Sequence, residues 1–123
     1  MFNAFSVTVG GKGKIEARNK TFKAGQILEN AGITFGLITD APFVPIEGQL
    51  LQAALYVKNG LSREMALKCL TINNAIITDI DSRVGSLEPG KDADVVIWDV
   101  EPLATLSQVG IVIIDGQIAY RRK

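Results

Sequence analysis

The sequence predicts a mixed α/β fold in which α/β material leads into a separate small sheet. Three observations carry this reading. A helical pattern runs straight into a strand that is apolar on both faces, more helical pattern follows, and a turn-rich stretch then opens onto short β runs. At 123 residues, 47% hydrophobic and 21% charged, the chain has the size and balance of one globular domain rather than a disordered or fibrous one.

The elements follow in order. Phe5, Val7 and Val9 alternate over residues 2–9, which predicts a short strand, broken by the run Gly10-Gly11-Lys12-Gly13-Lys14. From Thr21, a good N-cap, Ala24, Ile27, Leu28 and Ala31 recur at helical spacing up to the stop at Gly32. Residues 33–39 are apolar on both faces and end in Asp40-Ala41-Pro42, the pattern of an interior parallel strand with a polar residue at its carboxyl end. A second helix is expected from about Glu47 to Lys58, with Leu50, Leu51, Ala54 and Leu55 as its apolar stripe and Gly60 as its stop. Ser62 caps a third, whose buried face is Met65, Ala66, Cys69 and Leu70. Residues 79–94 are turn-rich, with Pro89-Gly90 set for a type II turn. Residues 95–98 and 109–114 read as strands, and Asp115-Gly116 joins the latter to residues 117–120 as a hairpin.

Composition narrows the chemistry. Thirteen Lys plus Arg balance thirteen Asp plus Glu, so no field steers the surface towards nucleic acid or an anionic membrane, and neither partner is expected. No apolar run approaches the ~20 residues a membrane helix needs. The N-terminal residues lack a signal-peptide pattern, and the one cysteine, Cys69, makes no internal disulfide, so a cytoplasmic location is expected. The chain has no histidine, which excludes Ser-His-Asp and Cys-His catalysis and any His-built metal site made by this chain alone. With no histidine to activate it, Cys69 reads as inert packing.

Three motifs bear on function. Gly85-Ser86-Leu87-Glu88-Pro89-Gly90-Lys91 has the spacing of a phosphate-binding loop, but Asp92 stands where a hydroxyl is required, Pro89 removes an N–H, and a strand follows instead of a helix. Nucleotide binding is therefore disfavoured. Asn19-Lys20-Thr21 matches a glycosylation acceptor, and without a secretory signal it carries no weight. Asp40 closes a doubly buried strand, where α/β folds build ligand sites; the other reading is a loop aspartate that caps its own turn before Pro42.

Residues 13–75, with T-x-N-x-A at Thr71, Asn73 and Ala75, then SRVGSLEPGKDADVVIWDVEPL and VIIDGQIAY, resemble the C-terminal third of the amidohydrolase superfamily, in its imidazolonepropionase-related branch. The resemblance covers nearly everything after Lys12. It implies a C-terminal fragment of a (β/α)8 TIM barrel, residues 1–80 holding the last βα units, plus the C-terminal strands of a small β-sandwich in residues 81–123. It implies that the complete enzyme hydrolyses C–N bonds of cyclic amides or imidazolone-like small molecules with one or two divalent metals, typically zinc. In that family a His-x-His pair, further histidines and an aspartate ending the eighth strand hold the metal. Only the aspartate has a counterpart here. Asp40 matches it, which makes Asp40 both the metal ligand and the catalytic group that shuttles the proton of the attacking water. Ala41 stands where relatives often carry a histidine. The chain alone is expected to hold no metal and to be inactive, with Asp40 exposed, protonated or paired with a cation. Open sheet edges predict a homo-oligomer. The alternative is a non-catalytic structural or interaction module derived from an amidohydrolase.

Overall fold

The computed structural model describes residues 21–42 and 44–123. The predicted strand at residues 2–9 and the break after it lie outside them. Helix α1 spans Ala24–Asn30, α2 Gln49–Lys58 after a 3-10 turn at Ile46–Gly48, α3 Arg63–Leu70 and α4 Ile72–Ile77; strands β1 Val95–Trp98, β2 Val109–Ile114 and β3 Gln117–Arg121 form one antiparallel sheet in the order β1-β2-β3. Among the described residues no helix is long and apolar enough to cross a membrane.

Helix α3 forms as its sequence predicts. Ser62 sits extended, and its hydroxyl accepts the Met65 N–H at 3.1 Å, while Ala66 and Cys69 point inwards. The Glu29 carboxylate reaches over from α1 and accepts both the backbone N–H and the hydroxyl of Ser62, tying the first helix to the third. Helix α1 is shorter than expected. Its N-cap is Lys23, and Thr21 instead accepts the Lys23 N–H through its hydroxyl at 3.2 Å, closing a turn before the helix. Helix α2 buries Gln52, Ala53 and Tyr56 and leaves Leu51 56% exposed, so its inner line is offset from the predicted Leu50, Leu51, Ala54 and Leu55 stripe. The offset arises because the helix has two apolar sides: Tyr56 fills the core with Phe35, Leu37, Leu61, Ala66, Cys69 and Leu103, whereas Leu50 borders an open cavity.

The expected interior strand at residues 33–39 is the main correction. Residues 35–37 and Thr39 are buried, with Leu37 fully inaccessible, whereas Ile33 and Thr34 are exposed; only Leu37 makes a single bridge, and no ladder forms. Its backbone is held by other groups. The Leu37 N–H donates to the Cys69 carbonyl at 3.1 Å, and the Phe35 and Leu37 carbonyls accept from side chains of α2, α3 and α4. An apolar run between turn signals specifies burial, and pairing additionally needs neighbouring strands that the described residues do not supply.

The sheet follows its sequence closely. Asp115 and Gly116 both adopt positive φ, 49° and 74°, the geometry of a two-residue type I′ hairpin, and Val112 pairs with Val96 on one side and Tyr120 on the other. The Asp115 N–H donates to the Asp94 carboxylate at 2.9 Å, fastening the hairpin tip to the entry of β1.

The exit of β1 is pinned by Asp99. Its carboxylate accepts from the Gln108 N–H at 2.9 Å and from Arg122 at 3.1 Å, and these partners, the Gln108 N–H first, hold its carboxyl below the ordinary aspartate value. Because the folded state binds the proton less tightly than the unfolded chain, this stabilisation is complete above pH 3.8 and is lost as the pH falls below it. The wild-type chain should therefore exceed Asp99→Asn in melting temperature at neutral pH, and the gap should shrink on acidification below about pH 4. A gap that stays constant from pH 7 to about pH 3 would contradict this role.

Candidate active site

The cavity of about 1090 Å³ lies between the carboxyl end of the 33–39 segment, helices α2 to α4 and strand β1, and it is lined mainly by apolar side chains. It exceeds the usual range for an enclosed small-molecule site. Three carboxylates border it: Asp40, Asp92 and Asp94. Two of them are engaged. Arg83 pairs with Asp92 at 2.6 Å, and Asp94 accepts the hairpin N–H described above.

Asp40 differs from both. It follows buried Thr39, is itself exposed, takes a left-handed φ of 60°, and its carboxylate is engaged by no described residue. Aspartate tolerates this backbone region better than most residues because its short side chain adds little crowding. The exposure matches one of the three states expected for a carboxylate without a cation. Among the described residues no group of three His, Cys, Asp or Glu side chains is placed to hold a metal ion. The donors present thus fit one metal ligand and not a complete catalytic set, which needs three protein ligands and a water.

The remaining motifs become structural. Lys91 is only 13% exposed and turns into its own loop, donating to the Ser86 hydroxyl at 2.7 Å and lying 3.7 Å from Glu88. Ser86 also donates to Glu88, whose carboxyl is held below its usual value by that hydrogen bond and then by the Lys91 charge. A phosphate-binding lysine must be free to reach its ligand, and this one is committed. The Lys91 N–H closes the Pro89-Gly90 turn onto the Glu88 carbonyl, with Gly90 at φ 92° as a type II turn demands. Cys69 is buried, its thiol is pushed up to about 11 by desolvation, and it donates to the Phe35 carbonyl at 3.2 Å. At neutral pH it is a protonated packing group.

Helix α4 is the feature sequence reasoning missed. It carries Asn73 and Ala75 of the T-x-N-x-A motif: Asn73 donates to the Phe35 carbonyl at 2.9 Å, and Ala75 packs so closely on Gly85 that a Cβ there would lie 2.8 Å from the Ala75 methyl. The motif helix thereby joins the Asp40 segment to the Arg83–Lys91 turns. Spacing of Ile72, Ala75 and Ile76 at i, i+3 and i+4 after Thr71 was the available signal.

A helix, an extended segment ending in an exposed carboxylate, and a following helix succeed one another along the chain, the order of an α/β unit. Comparison with known proteins gives the family. Residues 6–119 match the Amidohydrolase family, and the chain belongs to it. It is 34% identical over 107 residues to amidohydrolase tasK of Hapsidospora irregularis, covering 87% of this chain and 11% of that one. It is 35% identical over 112 residues to the imidazolonepropionase of Maricaulis maris, covering 88% and 28%, which agrees with the imidazolonepropionase-related branch. Its structure superimposes on the amidohydrolase of Thermotoga maritima with a TM-score of 0.84 at 38% identity, covering 91% of this chain and 29% of that one. The chain thus spans less than a third of the length of each of these relatives. Enzymes of the family are generally metal-dependent.

Proposed function

We propose that this chain is the C-terminal portion of a metal-dependent amidohydrolase acting on C–N bonds of cyclic amides or imidazolone-like substrates. Residues 1–80 would form the last βα units of its barrel and residues 81–123 part of its small β-sandwich. The observation that carries the reading is Asp40: a carboxylate that ends a buried extended segment, borders the cavity and is engaged by no described residue. In the complete enzyme Asp40 would supply one ligand to a divalent metal, zinc by the family resemblance. Its free oxygen would accept the proton of the attacking water. The other ligands would come from outside this chain, which has no histidine.

Three strands with apolar side chains exposed on both faces, Val96 and Tyr120 on one and Ile97 and Ile118 on the other, support a sandwich layer awaiting its partner sheet, and support self-association of the isolated chain. The isolated chain, dialysed and analysed for metals, should hold far less than one zinc per chain and hydrolyse cyclic amides at the buffer rate. Stoichiometric zinc together with turnover would contradict the proposal.

A further inference from the structure

We propose that the side-chain amides of Asn73 and Asn74, with that of Gln49, clamp the backbone carbonyls along residues 35–37 and thereby position Asp40. Asn73 Nδ2 donates to the Phe35 carbonyl at 2.9 Å, Asn74 Nδ2 to the Leu37 carbonyl at 3.1 Å, and Gln49 Nε2 to the same carbonyl at 3.2 Å. Among the described residues these amides, with the Cys69 thiol at the Phe35 carbonyl, are the side-chain donors the two carbonyls meet, and a buried carbonyl left without a donor is costly. The two asparagines are adjacent on a short helix and grip carbonyls two residues apart, so both sit on one side of the extended segment.

Gly36, between the two gripped carbonyls, is what lets them in. A Cβ at Gly36 would lie 1.8 Å from Asn74 Oδ1 and 2.9 Å from its Cγ, a space two atoms cannot share. Asn74 Oδ1 is itself buried and finds no hydrogen-bond partner among the described residues. A satisfied oxygen could have been had by turning outwards; its position is set instead by the bond its Nδ2 makes to Leu37. Three residues beyond that bond the backbone turns left-handed at Asp40, the geometry that leaves its carboxylate exposed beside the cavity. Asn73 and Asn74 are positioning residues, acting through the backbone they hold. Their importance for the reaction rests on the reading of Asp40 above, but the clamp itself is testable without metal or substrate.

The experiment uses the full chain and two readouts. Amide hydrogen exchange in Asn74→Ala should rise at least about tenfold at Leu37 and Ile38 while α2 and the β1-β2-β3 sheet keep their protection, and the Asp40 Cα resonance should move away from its left-handed value. Uniform acceleration across all elements, or an unmoved Asp40 resonance, would overturn the clamp. Should Asn74→Ala fail to fold, Asn74→Leu keeps a side chain of similar branched shape and removes the donor without adding a charge, with the same expected pattern. The second readout is the denaturant midpoint: Gly36→Ala should lower it, and adding Asn74→Ala to that variant should recover part of the loss, because the clash disappears with the amide. Additive losses would overturn the proposed contact. An intact clamp with an Asp40 that proves dispensable for turnover would sink the functional reading alone, and the reverse result would sink the clamp alone.

Discussion

Asp40→Asn should lower kcat/KM by about a thousandfold, for whichever amide substrate the Thermotoga maritima amidohydrolase turns over, in a chimera that places this chain's matched segment into that protein. The graft replaces 29% of that protein with a segment 38% identical to it and superimposable at a TM-score of 0.84, so the remaining barrel meets a familiar surface. Asparagine keeps the shape of aspartate and tolerates the left-handed φ of 60° equally well, so folding should not change. It cannot take a proton at the lost carboxylate oxygen, and it is a poorer ligand for a divalent cation. Steady-state kinetics of the two chimeras, with melting temperatures matched as a control, measures the effect. A loss under about tenfold would remove Asp40 from the chemistry.

Leu37→Ala should be the most damaging single change to the fold itself. Leu37 is fully inaccessible and packs in the cluster formed by Phe35, Tyr56, Leu61 and Cys69, and both its backbone N–H and carbonyl are bonded. With its neighbours fixed in this way, the site cannot collapse around the lost methyl groups, and a cost of about 3 kcal/mol is expected. The paired control is Leu51→Ala, 56% exposed in the structure, which should stay within about 0.5 kcal/mol. Urea midpoints of both variants decide it. Equal losses at the two positions would mean that α2 presents the apolar stripe its sequence suggests instead of the Gln52, Ala53 and Tyr56 line.

What could be read from the sequence was local. Asp115-Gly116, Pro89-Gly90 and the Ser62 cap each encode their geometry in two to four residues, through a positive φ or a side-chain oxygen that meets a nearby N–H, and each forms as expected. The losses lie where geometry depends on distant partners. Thr21 could cap a helix or a turn, and the choice of the turn leaves Lys23 at the helix start. Gln52 occupies a fully buried position that polarity argues against, while Leu51 faces out. Residues 33–39 have the composition of an interior strand, yet the Phe35 and Leu37 carbonyls are taken by amides from residues 12 to 38 positions away in sequence, a pairing that no periodicity announces. The candidate site divides in the same way. The place of Asp40 after a buried run was legible, whereas the Asn73 and Asn74 grip on that run was not, because nothing in a motif of spaced residues says which backbone it holds.

Zinc titration of the chimera tests most directly whether Asp40 contributes a metal ligand to the proposed site completed by residues outside this chain. About one zinc per chain is expected in the Asp40 chimera, little or none in the isolated chain, and at least about tenfold weaker zinc binding in the Asp40→Asn chimera. Zinc affinity unchanged by Asp40→Asn in a folded chimera would contradict it.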